Sequence, residues 1–575
     1  MSIESKEPRA AALVAAGDPQ RSTSRARRRL SNRSRYGMLI GFLALGIALE
    51  AYIWIHNAGD GTQQVMRTWY TAPAIVLGVL IWWTFLSGFR WSVRLTGLLI
   101  VVVANVAFFR VFRLKEFSGD MVPHFEVRGR QSAEQRAASY WQSETSEVAT
   151  ANSTGGTNPA VIETLAIGPA DWPEFDGSQR DGQAPAVRIR ADWNQHPPRQ
   201  LWKHPVGAAW SAFAVVGNLA FTQEQRGTDE AVVCYDVQTG KQIWVHLDPN
   251  QRYDQTMAGI GPRATPTVYD SRLYTYGATG ILNCLAAHSG ALLWSRKTLE
   301  DAGVAPVQFG MSGSPLLYDN LVVVNPGGPR KSIDGTDTSG RAVIAYDRLS
   351  GKEVWSAGDY QAGYASPMLV TLGGVRQVVI FDGLGAAGHD AATGKELWRT
   401  TLWTNEFHNN CAQPIVGKPA GGDGTVFLSS GYGTGSILFD VKKSGDAWNV
   451  SERWQAPNKF KLKFNSGVAR DGVVYGLDEG ILACFDLSTG RQRWKRGHYG
   501  YGQILLFENV LLVLSEEGDA VLVEVSPAKA QELCRFHAIE GKTWNHPAYS
   551  NGRLFVRNAE EAACYDLGPL QTASR

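Results

Sequence analysis

The chain has 575 residues, and its 56 lysines and arginines against 54 aspartates and glutamates give a formal net charge of +2 at pH 7. A balance this close to neutral argues against nucleic acid as a main partner. The sequence contains no Cys-x-x-Cys-His, His-Glu-x-x-His or Gly-x-Ser-x-Gly pattern and no phosphate-binding loop, so the corresponding haem, zinc, hydrolase and nucleotide sites are not indicated.

Residues 1–35 form a polar, strongly basic segment. A charge run of this kind is typical of a disordered tail. We expect the tail to lie in the cytoplasm, because basic residues beside a membrane span are retained on that side. The arginines that carry this prediction are Arg21, Arg25, Arg27, Arg28, Arg29, Arg33 and Arg35.

Three apolar stretches follow, at residues 36–55, 70–89 and 95–112. Each is close to the roughly 20 residues that cross a bilayer, and Trp and Tyr cluster at their margins, as membrane interfaces favour. A cleaved signal peptide would explain the first stretch alone, but no small-residue cleavage site follows it. The sequence therefore predicts three transmembrane helices within residues 36–115.

The distribution of arginine predicts the orientation of these helices. The tail is heavily basic, the first loop holds Arg67, and the second loop holds Arg90 and Arg94. The positive-inside rule then places the tail and the second loop in the cytoplasm and everything after the third span outside. A short basic group at residues 110–115 argues against this orientation, but it carries fewer charges than the tail.

Residues 116–170 are rich in Ser, Thr, Ala, Gly and Glu. That composition is typical of linkers. We predict a flexible linker that holds the following domain off the membrane surface.

From Trp202 onward, one pattern returns at intervals of about 40 to 60 residues, a spacing typical of solenoids and propellers. An apolar run ends in Asp; two or three polar residues and a Gly follow, and then Lys or Arg and an apolar pair that ends in Trp. The Asp is expected to bond the turn backbone, the Gly to take a positive φ, and the Trp to cover the edge of the neighbouring unit. Complete copies occupy residues 234–244, 345–355, 390–398 and 484–494, and weaker copies occupy 284–294, 439–454 and 523–536.

A second pattern precedes each copy. A small or polar residue, often followed by Pro, leads into a short apolar run, a turn and another apolar run, as in residues 265–274, 314–323 and 546–555. Together the two patterns give four short strands, which make one propeller blade.

Counting the units predicts how the ring closes. Seven units have both patterns, whereas the eighth begins at Trp544 and ends at Asp566 without a Trp strand. A spare Trp strand at residues 199–206 is expected to complete it. We therefore predict an all-β, eight-bladed propeller of four-stranded antiparallel blades over residues 171–568, preceded by three transmembrane helices and followed by a tail at 569–575.

The six cysteines indicate structure rather than chemistry. Four of them hold the same position in different units, where a disulfide between blades is too long to form, so we predict small buried hydrophobic side chains. Cys411 and Cys534 indicate no disulfide framework. The four equivalent residues are Cys234, Cys284, Cys484 and Cys564.

The residues that lead into the innermost strand of each blade form an aligned column, which in a closed ring surrounds the mouth of the central channel. The column is rich in aromatic and neutral polar side chains, a composition that suits a flat conjugated ligand or a peptide. Simple packing of the blade entrances explains the same residue types. The predicted ligand-binding residues are Trp210, Arg263, Ser314, Tyr364, Gln413, Asn465, Tyr501, Trp544 and His546.

The loop that enters the fifth blade, residues 405–410, combines Asn, Glu and His. Glu406 and Asn409 offer hard oxygen ligands suited to Ca²⁺, and His408 offers a base. A solvated polar loop explains the cluster equally well. The Asp-Gly-Thr-Asp segment at residues 334–337 is predicted to be a turn.

The pattern Asp-x-x-x-Gly-Lys-x-x-Trp resembles the repeat of the pyrroloquinoline quinone (PQQ) enzyme superfamily, over roughly residues 170–568. Residues 172–182 also resemble the Trp-Pro-x-Phe-x-Gly lead-in of many bacterial members. The superfamily includes quinoprotein alcohol and glucose dehydrogenases and non-catalytic members such as the lipoprotein of the outer-membrane β-barrel assembly machine. Because the repeat is structural in every member, the resemblance implies the fold and leaves the activity open.

The resemblance implies two candidate functions. The first is a non-catalytic binding or scaffold module for an envelope protein or peptide, anchored in the bacterial inner membrane with its propeller on the periplasmic side. The second is a dehydrogenase that uses PQQ and calcium to oxidise an alcohol or sugar, with Arg263 facing the acidic cofactor. Catalytic members commonly place two adjacent cysteines over the cofactor, and this chain has no Cys-Cys pair, so we favour the first hypothesis.

Overall fold

The computed structural model describes residues 31–57, 61–148, 162–184, 187–255, 258–328, 341–417, 424–568 and 571–572. Most of the predicted N-terminal tail, the centre of the predicted linker, the predicted turn at 334–337 and most of the predicted C-terminal tail lie outside these residues. Two compact units are present: the helical residues up to Ile53 with Thr68–Asn105, and Trp54–Arg67 with the chain from Val106 onward.

Three helices are long and apolar enough to cross a membrane, as predicted. They are α1 (Asn32–His56), α2 (Gly61–Ile81, continued by a π-helical turn over Trp82–Leu86) and α3 (Trp91–Val111). Two helices begin earlier than their apolar stretches: α1 begins at Asn32, within residues 1–35, and α2 begins at Gly61, before the stretch that starts at residue 70. The polar residues that precede each apolar run continue the helix, since helical hydrogen bonding does not depend on apolarity.

Residues 112–148 are folded, so the flexible linker predicted from residue 116 is wrong for this part. They form a hairpin of β1 (Phe112–Phe117) and β2 (Pro123–Val127), followed by α4 (Ala133–Val148). A few aromatic side chains anchor α4 despite its polar composition: Tyr140 stacks on His204 with ring centroids 4.9 Å apart, and the Arg226 guanidinium lies 4.2 Å from the ring centroid of Trp141.

Eight four-stranded antiparallel sheets form the blades of the predicted propeller. In blades 1 to 7 the strands pair in chain order, beginning with the innermost strand. Blade 1 consists of β5 (Ala214–Val216), β6 (Leu219–Arg226), β7 (Asp229–Asp236) and β8 (Gln242–Asp248), and blade 2 of β11 (Thr267–Tyr269), β12 (Arg272–Tyr276), β13 (Ile281–Ala286) and β14 (Leu292–Lys297). Blade 3 consists of β15 (Leu316–Tyr318), β16 (Leu321–Val324), β17 (Val343–Asp347) and β18 (Glu353–Ala357), and blade 4 of β19 (Met368–Leu372), β20 (Val375–Phe381), β21 (Ala386–Asp390) and β22 (Glu396–Arg399).

The second half of the ring repeats this order. Blade 5 consists of β23 (Ile415–Gly417), β24 (Gly424–Ser430), β25 (Gly435–Ser444) and β26 (Ala447–Pro457), and blade 6 of β27 (Val468–Arg470), β28 (Val473–Asp478), β29 (Ile481–Asp486) and β30 (Gln492–His498). Blade 7 consists of β31 (Gln503–Phe507), β32 (Val510–Leu514), β33 (Asp519–Val525) and β34 (Ala530–His537), and blade 8 of β35 (Ala548–Ser550), β36 (Arg553–Arg557), β37 (Glu561–Asp566) and β4 (Arg199–Pro205). The short elements outside the blades are β3 (Val187–Arg188) paired with β38 (Gln571–Thr572), β9 (Asp254–Gln255) paired with β10 (Gly259–Ile260), and α5 (Thr298–Ala302).

The ring closes as predicted, because β4 completes blade 8 by pairing with β37, with Trp202 opposite Cys564. A second connection joins blade 8 to blade 1. The fully buried Arg557 donates hydrogen bonds to the Thr222 hydroxyl at 2.7 Å and the Gly207 carbonyl at 2.7 Å. Burial lowers the pKa of Arg557, and the nearby Glu224 carboxylate opposes this effect.

In five of the described repeats, the Trp that ends the repeat docks on the Gly turn of the next blade. Trp202 lies on Gly240, where an added Cβ would be 2.6 Å from its Cδ2, and its indole N–H donates to the Val237 carbonyl at 3.0 Å. Glycine is required at this position because its φ is 71° and because the indole occupies the space of a side chain. The same docking joins Trp244 to Gly290, Trp294 to Gly351, Trp355 to Gly394 and Trp454 to Gly490.

The Asp and Cys positions of the repeat behave as predicted. The Asp236 carboxylate accepts hydrogen bonds from the backbone N–H groups of Gln238 and Thr239, at 3.0 and 2.8 Å. The four equivalent cysteines are buried and free. Each lies opposite a Trp on the neighbouring strand, in the pairs Cys234–Trp244, Cys284–Trp294, Cys484–Trp494 and Cys564–Trp202.

Replacement of the closing Trp tests this architecture. We expect Trp202→Ala to lower the free energy of unfolding of the propeller by about 3–5 kcal/mol, because it removes a buried aromatic side chain at the seam of the ring. Urea unfolding of the full chain in a neutral detergent, followed by circular dichroism, measures the change. Leu402→Ala is the control, since Leu402 is 70% exposed; equal urea midpoints for the two variants would contradict the role of Trp202.

Candidate functional site

A closed belt of hydrogen bonds links neighbouring blades around the channel. In the first five links, a backbone N–H of one blade donates to a side-chain oxygen of the next. These links run from Ala212 to Thr265 (3.3 Å), Thr265 to Ser314 (2.9 Å), Ser314 to Ser366 (2.9 Å), Ser366 to Gln413 (3.1 Å) and Gln413 to Ser466 (3.2 Å).

Two amide side chains complete the belt through blades 6, 7, 8 and 1. The Gln503 amide donates to the carbonyls of Phe464 and Trp544, at 3.1 and 2.7 Å. The Asn545 amide donates to the carbonyls of Ala209 and Ser211, at 3.1 and 2.9 Å. The belt therefore ties each blade to the next at the level where its innermost strand begins.

Several residues that the sequence predicted to bind a ligand form hydrogen bonds within the ring of blades. Ser314 and Gln413 are belt members and do not line the cavity described below. Asn465 is equally structural, since its amide donates to the Leu477 carbonyl at 3.2 Å and accepts from the Lys463 backbone N–H at 3.2 Å.

Above the belt, the mouth of the channel encloses a cavity of about 290 Å³. Aromatic side chains dominate its wall. The Trp210 and Trp544 rings stack with centroids 5.0 Å apart, and the ring centroid of Phe464 lies 4.6 Å from that of Trp544. The predicted residues that line the cavity are Trp210, Arg263, Tyr364, Trp544 and His546, together with Ser312, Cys411 and Phe464 from the same column.

The lead-in segment, residues 170–184, forms the floor of the cavity. Its Trp172 forms a β-bridge with Val215 on the innermost strand of blade 1. The buried guanidinium of Arg180 donates to the carbonyls of Ser314 and Pro367, at 3.1 and 3.0 Å. Phe175 lines the cavity, so the lead-in closes the channel from the side opposite the mouth.

Two close polar contacts involve the lead-in, one within it and one with the start of blade 8. Glu174 accepts from Arg180 at 2.6 Å; burial raises the pKa of this carboxyl group, and the guanidinium partly offsets that effect. Asp176 lies 2.7 Å from Nδ1 of His546, which also packs edge-on against Phe175. His546 therefore contacts two residues of the lead-in that forms the floor of the cavity.

Segments from outside the blades cover the mouth; we call them the roof. The roof comprises Thr62 and Met66, from the start of α2, and the turn at residues 118–121 between β1 and β2. In this turn the Met121 N–H donates to the Ser118 carbonyl at 2.9 Å, and Met121 has a φ of 64°. A non-glycine residue in that conformation is held there by its surroundings.

Side chains of the propeller form hydrogen bonds with backbone groups of the roof turn. The Lys463 ammonium donates to the Gly119 carbonyl at 2.6 Å and to the Thr62 hydroxyl at 2.7 Å. The Gly119 N–H donates to the Glu516 carboxylate at 2.7 Å. Tyr501 lies beneath the turn, where a Cβ at Gly119 would be 1.9 Å from its Cδ2.

Tyr501 is therefore a roof contact and not a residue of the cavity wall. Its hydroxyl bonds the carboxylates of Glu479 at 2.6 Å and Asp120 at 2.7 Å. Burial raises the pKa of Tyr501, so the phenol stays protonated and its single O–H is shared between these two acceptors. The contact joins the roof turn to blade 6 as well as blade 7.

The described lining residues of the cavity include two cations and no carboxylate. Burial lowers the pKa of Arg263 to about 10, which leaves it charged at neutral pH, and it donates to the carbonyls of Gly261 and Gly259. Cys411 also faces the cavity, and burial raises the pKa of its thiol to about 12.

The two residues predicted to hold calcium lie in different surroundings, Asn409 at the cavity and Glu406 on the exposed surface. Asn409 lines the cavity, but its backbone N–H and carbonyl are both bonded to the Asn405 side chain, at 3.1 and 2.9 Å. Glu406 is exposed and does not line the cavity. Among the described residues, no group of three or more His, Cys, Asp or Glu side chains is placed to hold a metal ion.

Comparisons with known proteins agree with this architecture. A family model described as outer membrane protein assembly factor BamB matches residues 228–496. The matched residues run from blade 1 to blade 6 of the propeller. No curated protein matches the sequence significantly.

Solved structures share the PQQ-like propeller fold at low sequence identity. Quinohemoprotein alcohol dehydrogenase from Comamonas testosteroni is 13% identical, with 74% of this chain and 84% of that chain covered and a TM-score of 0.53. Quinohemoprotein alcohol dehydrogenase ADHIIG from Pseudomonas putida HK5 is 14% identical, with 72% and 84% covered and a TM-score of 0.51. BamB from Moraxella catarrhalis is 14% identical, with 64% and 99% covered and a TM-score of 0.43.

The PQQ-like propeller does not present a fitting site for PQQ held by calcium. Protein calcium sites are built from oxygen ligands that include carboxylates, and the described wall of the cavity has none. Its two cations are already engaged, Arg263 with backbone carbonyls and Lys463 with the roof.

Five of the nine predicted residues line the cavity, whereas Lys463 and the roof were not predicted. The sequence column identified the wall because its residues recur in register with the blades. Lys463 precedes a column position and carries no repeat signal, and the roof residues lie hundreds of positions before the blades that they cover. The roof could not be placed from the sequence, because its contacts are made by single residues without periodicity.

The roof can be tested with Cys411 as a reporter. We expect Gly119→Ala to lift the roof turn, because the added Cβ collides with Tyr501, and to raise the rate of maleimide labelling of Cys411 at least about tenfold as the thiol meets water. Labelling of the full chain in detergent, read by mass spectrometry, measures this rate. Gly129→Ala, in the turn that follows the hairpin, is the control, since nothing lies within 4 Å of a Cβ at that position; equal Cys411 rates in both variants would contradict the roof.

Proposed function

We propose that this chain is a membrane-anchored, non-catalytic binding module that holds a peptide segment of an envelope protein at the covered mouth of its propeller. We further propose that the anchor lies in the bacterial inner membrane and that the propeller lies on the periplasmic side. Three arguments support this proposal, from the topology, from the roof and from the composition of the cavity.

The alternation of three spans supports the topology. Three crossings put the loop between α1 and α2 on the same side as everything after α3. The hydrogen bond from Lys463 to Thr62 requires the same arrangement, because Thr62 begins α2 and Lys463 belongs to the propeller. With the basic tail in the cytoplasm, that common side is extracytoplasmic.

The roof turn is the observation that carries the proposal, because the propeller bonds the backbone of this chain segment at the mouth. Lys463 and Glu516 bond the carbonyl and the N–H of one residue, Gly119, and Lys542 donates to the Phe117 carbonyl at 3.0 Å. Bonds to backbone groups recognise a chain segment whatever its side chains, and close contact with Tyr501 adds a preference for glycine. A partner segment of the same kind would compete with residues 117–121 for these groups.

The dehydrogenase is the second candidate, and the superfamily resemblance is the observation that favours it. A dehydrogenase needs a site open to its substrate and ligands for its metal. In this propeller the roof and the lead-in occupy both sides of the cavity, and the described wall offers no carboxylate. These features favour the binding module.

A peptide added in trans tests the binding module. We expect a synthetic peptide with the sequence of residues 115–123 to bind the Gly119→Ala variant of the full chain with a dissociation constant below about 1 mM, because that variant's own turn no longer fits over Tyr501. Fluorescence anisotropy of a labelled peptide in detergent measures the affinity.

Two controls sharpen the peptide experiment. The same peptide with Ala in place of its Gly should not bind, and neither should the original peptide once Lys463→Met is added to the variant protein. If both peptides bind equally, or if neither binds, the mouth does not recognise a peptide backbone and the proposal fails.

A titration with PQQ and Ca²⁺ tests the alternative. We expect no saturable quenching of tryptophan fluorescence up to tens of micromolar PQQ, and no reduction of a redox dye with alcohol or glucose as substrate, because the cavity lacks the ligands for the metal. Saturable binding that is lost in Arg263→Met and kept in Arg376→Met, a surface control, would establish the dehydrogenase instead.

A further inference from the structure

The two halves of the third span, α3, have different surroundings. The first half packs against the end of the second span, where an added Cβ at Gly97 would be 2.6 Å from Trp83 and the Trp83 indole N–H donates to the Arg94 carbonyl at 3.1 Å. In the second half, residues 99–111, every position is exposed around the full circumference of the helix. This half of α3 is therefore open to a neighbour in the membrane.

An asparagine interrupts the apolar second half. Asn105 lies six residues, or about 9 Å, before the C-terminal end of α3, and the whole helix is about 31 Å long at 1.5 Å per residue. The hydrocarbon core of a bilayer is about 30 Å thick, so Asn105 lies inside the core when α3 crosses the membrane. A polar side chain at that depth has no water to bond, and its donors and acceptors need protein partners.

The Asn105 amide is only partly satisfied by its own chain. One N–H donates to the Val101 carbonyl of the preceding turn at 2.8 Å. An asparagine amide has a second N–H donor and an oxygen that accepts hydrogen bonds, and the described residues place no partner against either of them. Asn105 therefore retains one donor and one acceptor that face the lipid.

Polar groups of the other two spans are paired with each other. The Glu50 carboxylate of α1 accepts hydrogen bonds from two hydroxyls of α2, that of Thr68 at 2.9 Å and that of Thr71. Asn105 makes no such contact with α1 or α2 in the described structure, because its part of α3 is exposed on all sides. Its partner must therefore come from outside these three helices.

We propose that α3 pairs with α3 of a second copy of this chain through Asn105. An amide carries both a donor and an acceptor, so two asparagines at the same depth can bond each other in a symmetric pair. Copies that insert with the same orientation place Asn105 at the same depth. Interhelical hydrogen bonds of this kind stabilise helix association in a membrane. The inference rests on the proposed membrane anchoring and is independent of the peptide site.

Helical geometry defines the face of α3 that would be paired. At about 100° per residue, Val101 and Phe108 lie within about 60° of Asn105, and both are exposed apolar side chains. Thr96 and Val103 lie about 160–180° from Asn105, on the opposite face. The pairing therefore predicts contact at the first two positions and none at the other two.

Energy transfer between two labelled pools of the full chain tests the pair. Each pool carries a donor or an acceptor dye at its N-terminus, and both are reconstituted into phosphatidylcholine vesicles at increasing lipid dilution. We expect transfer that falls on dilution, and an association constant at least about fivefold lower for Asn105→Val, because the interhelical amide bonds are lost. Asn105→Gln keeps an amide and should associate more strongly than Asn105→Val. Thr96→Val makes a polar-to-apolar change on the opposite face and should associate like the unaltered chain.

Cysteine cross-linking tests which face is paired. Val101→Cys should form an intermolecular disulfide in the vesicles under mild oxidation, because the two copies of this position lie close together. Val103→Cys is the matched control on the opposite face and should not cross-link. The unaltered chain gives the background from the native cysteines.

The outcomes separate the pairing from the anchoring. Equal transfer in the unaltered chain and Asn105→Val, equal loss in Asn105→Val and Thr96→Val, or equal cross-linking at positions 101 and 103 overturns the inference. A chain that enters the vesicles but shows no transfer contradicts the pairing alone. A chain that stays outside the vesicles contradicts the membrane anchoring, and the pairing with it.

Discussion

The docking of a tryptophan on a glycine turn is the interaction on which this propeller depends. Five indoles cover the Gly of the next blade, and that of Trp202 also bonds the Val237 carbonyl there. The contact has a direction, because blades 1, 2 and 3 each receive a Trp on their Gly turn and supply a Trp to the next blade. It therefore explains why a strand from upstream of blade 1 must return to complete blade 8: without β4 the last blade would have no Trp, and the first Gly turn would be uncovered.

Closure of the ring creates a channel, and segments from outside the repeats fill it. The lead-in enters from one side, where Arg180 bonds carbonyls of blades 3 and 4. The roof turn covers the other side, where blades 6 and 7 bond Gly119. The described residues that line the cavity between them include aromatic rings and the two engaged cations.

The repeat positions were predictable from the sequence, whereas the site was predictable only in part. Trp210, Arg263, Tyr364, Trp544 and His546 were predicted to surround the mouth, and they line the cavity. Ser314 and Gln413 belong to the same column, but their side-chain oxygens accept belt hydrogen bonds from the preceding blade. Column alignment gives the level of a residue in the ring, and only the local backbone decides which way its side chain faces.

The amino-acid pattern by itself determined the blade number, the closing strand, the buried cysteines and the three spans. Each of these follows from a periodicity or from a run of apolar residues, which are local and repeated signals. The tertiary structure alone decided that residues 112–148 are folded, that Gly119 is held by Lys463 and Glu516, and that the start of α2 meets blades 5 and 6. These contacts join single residues far apart in the chain, so their energy depends on packing that no local pattern records.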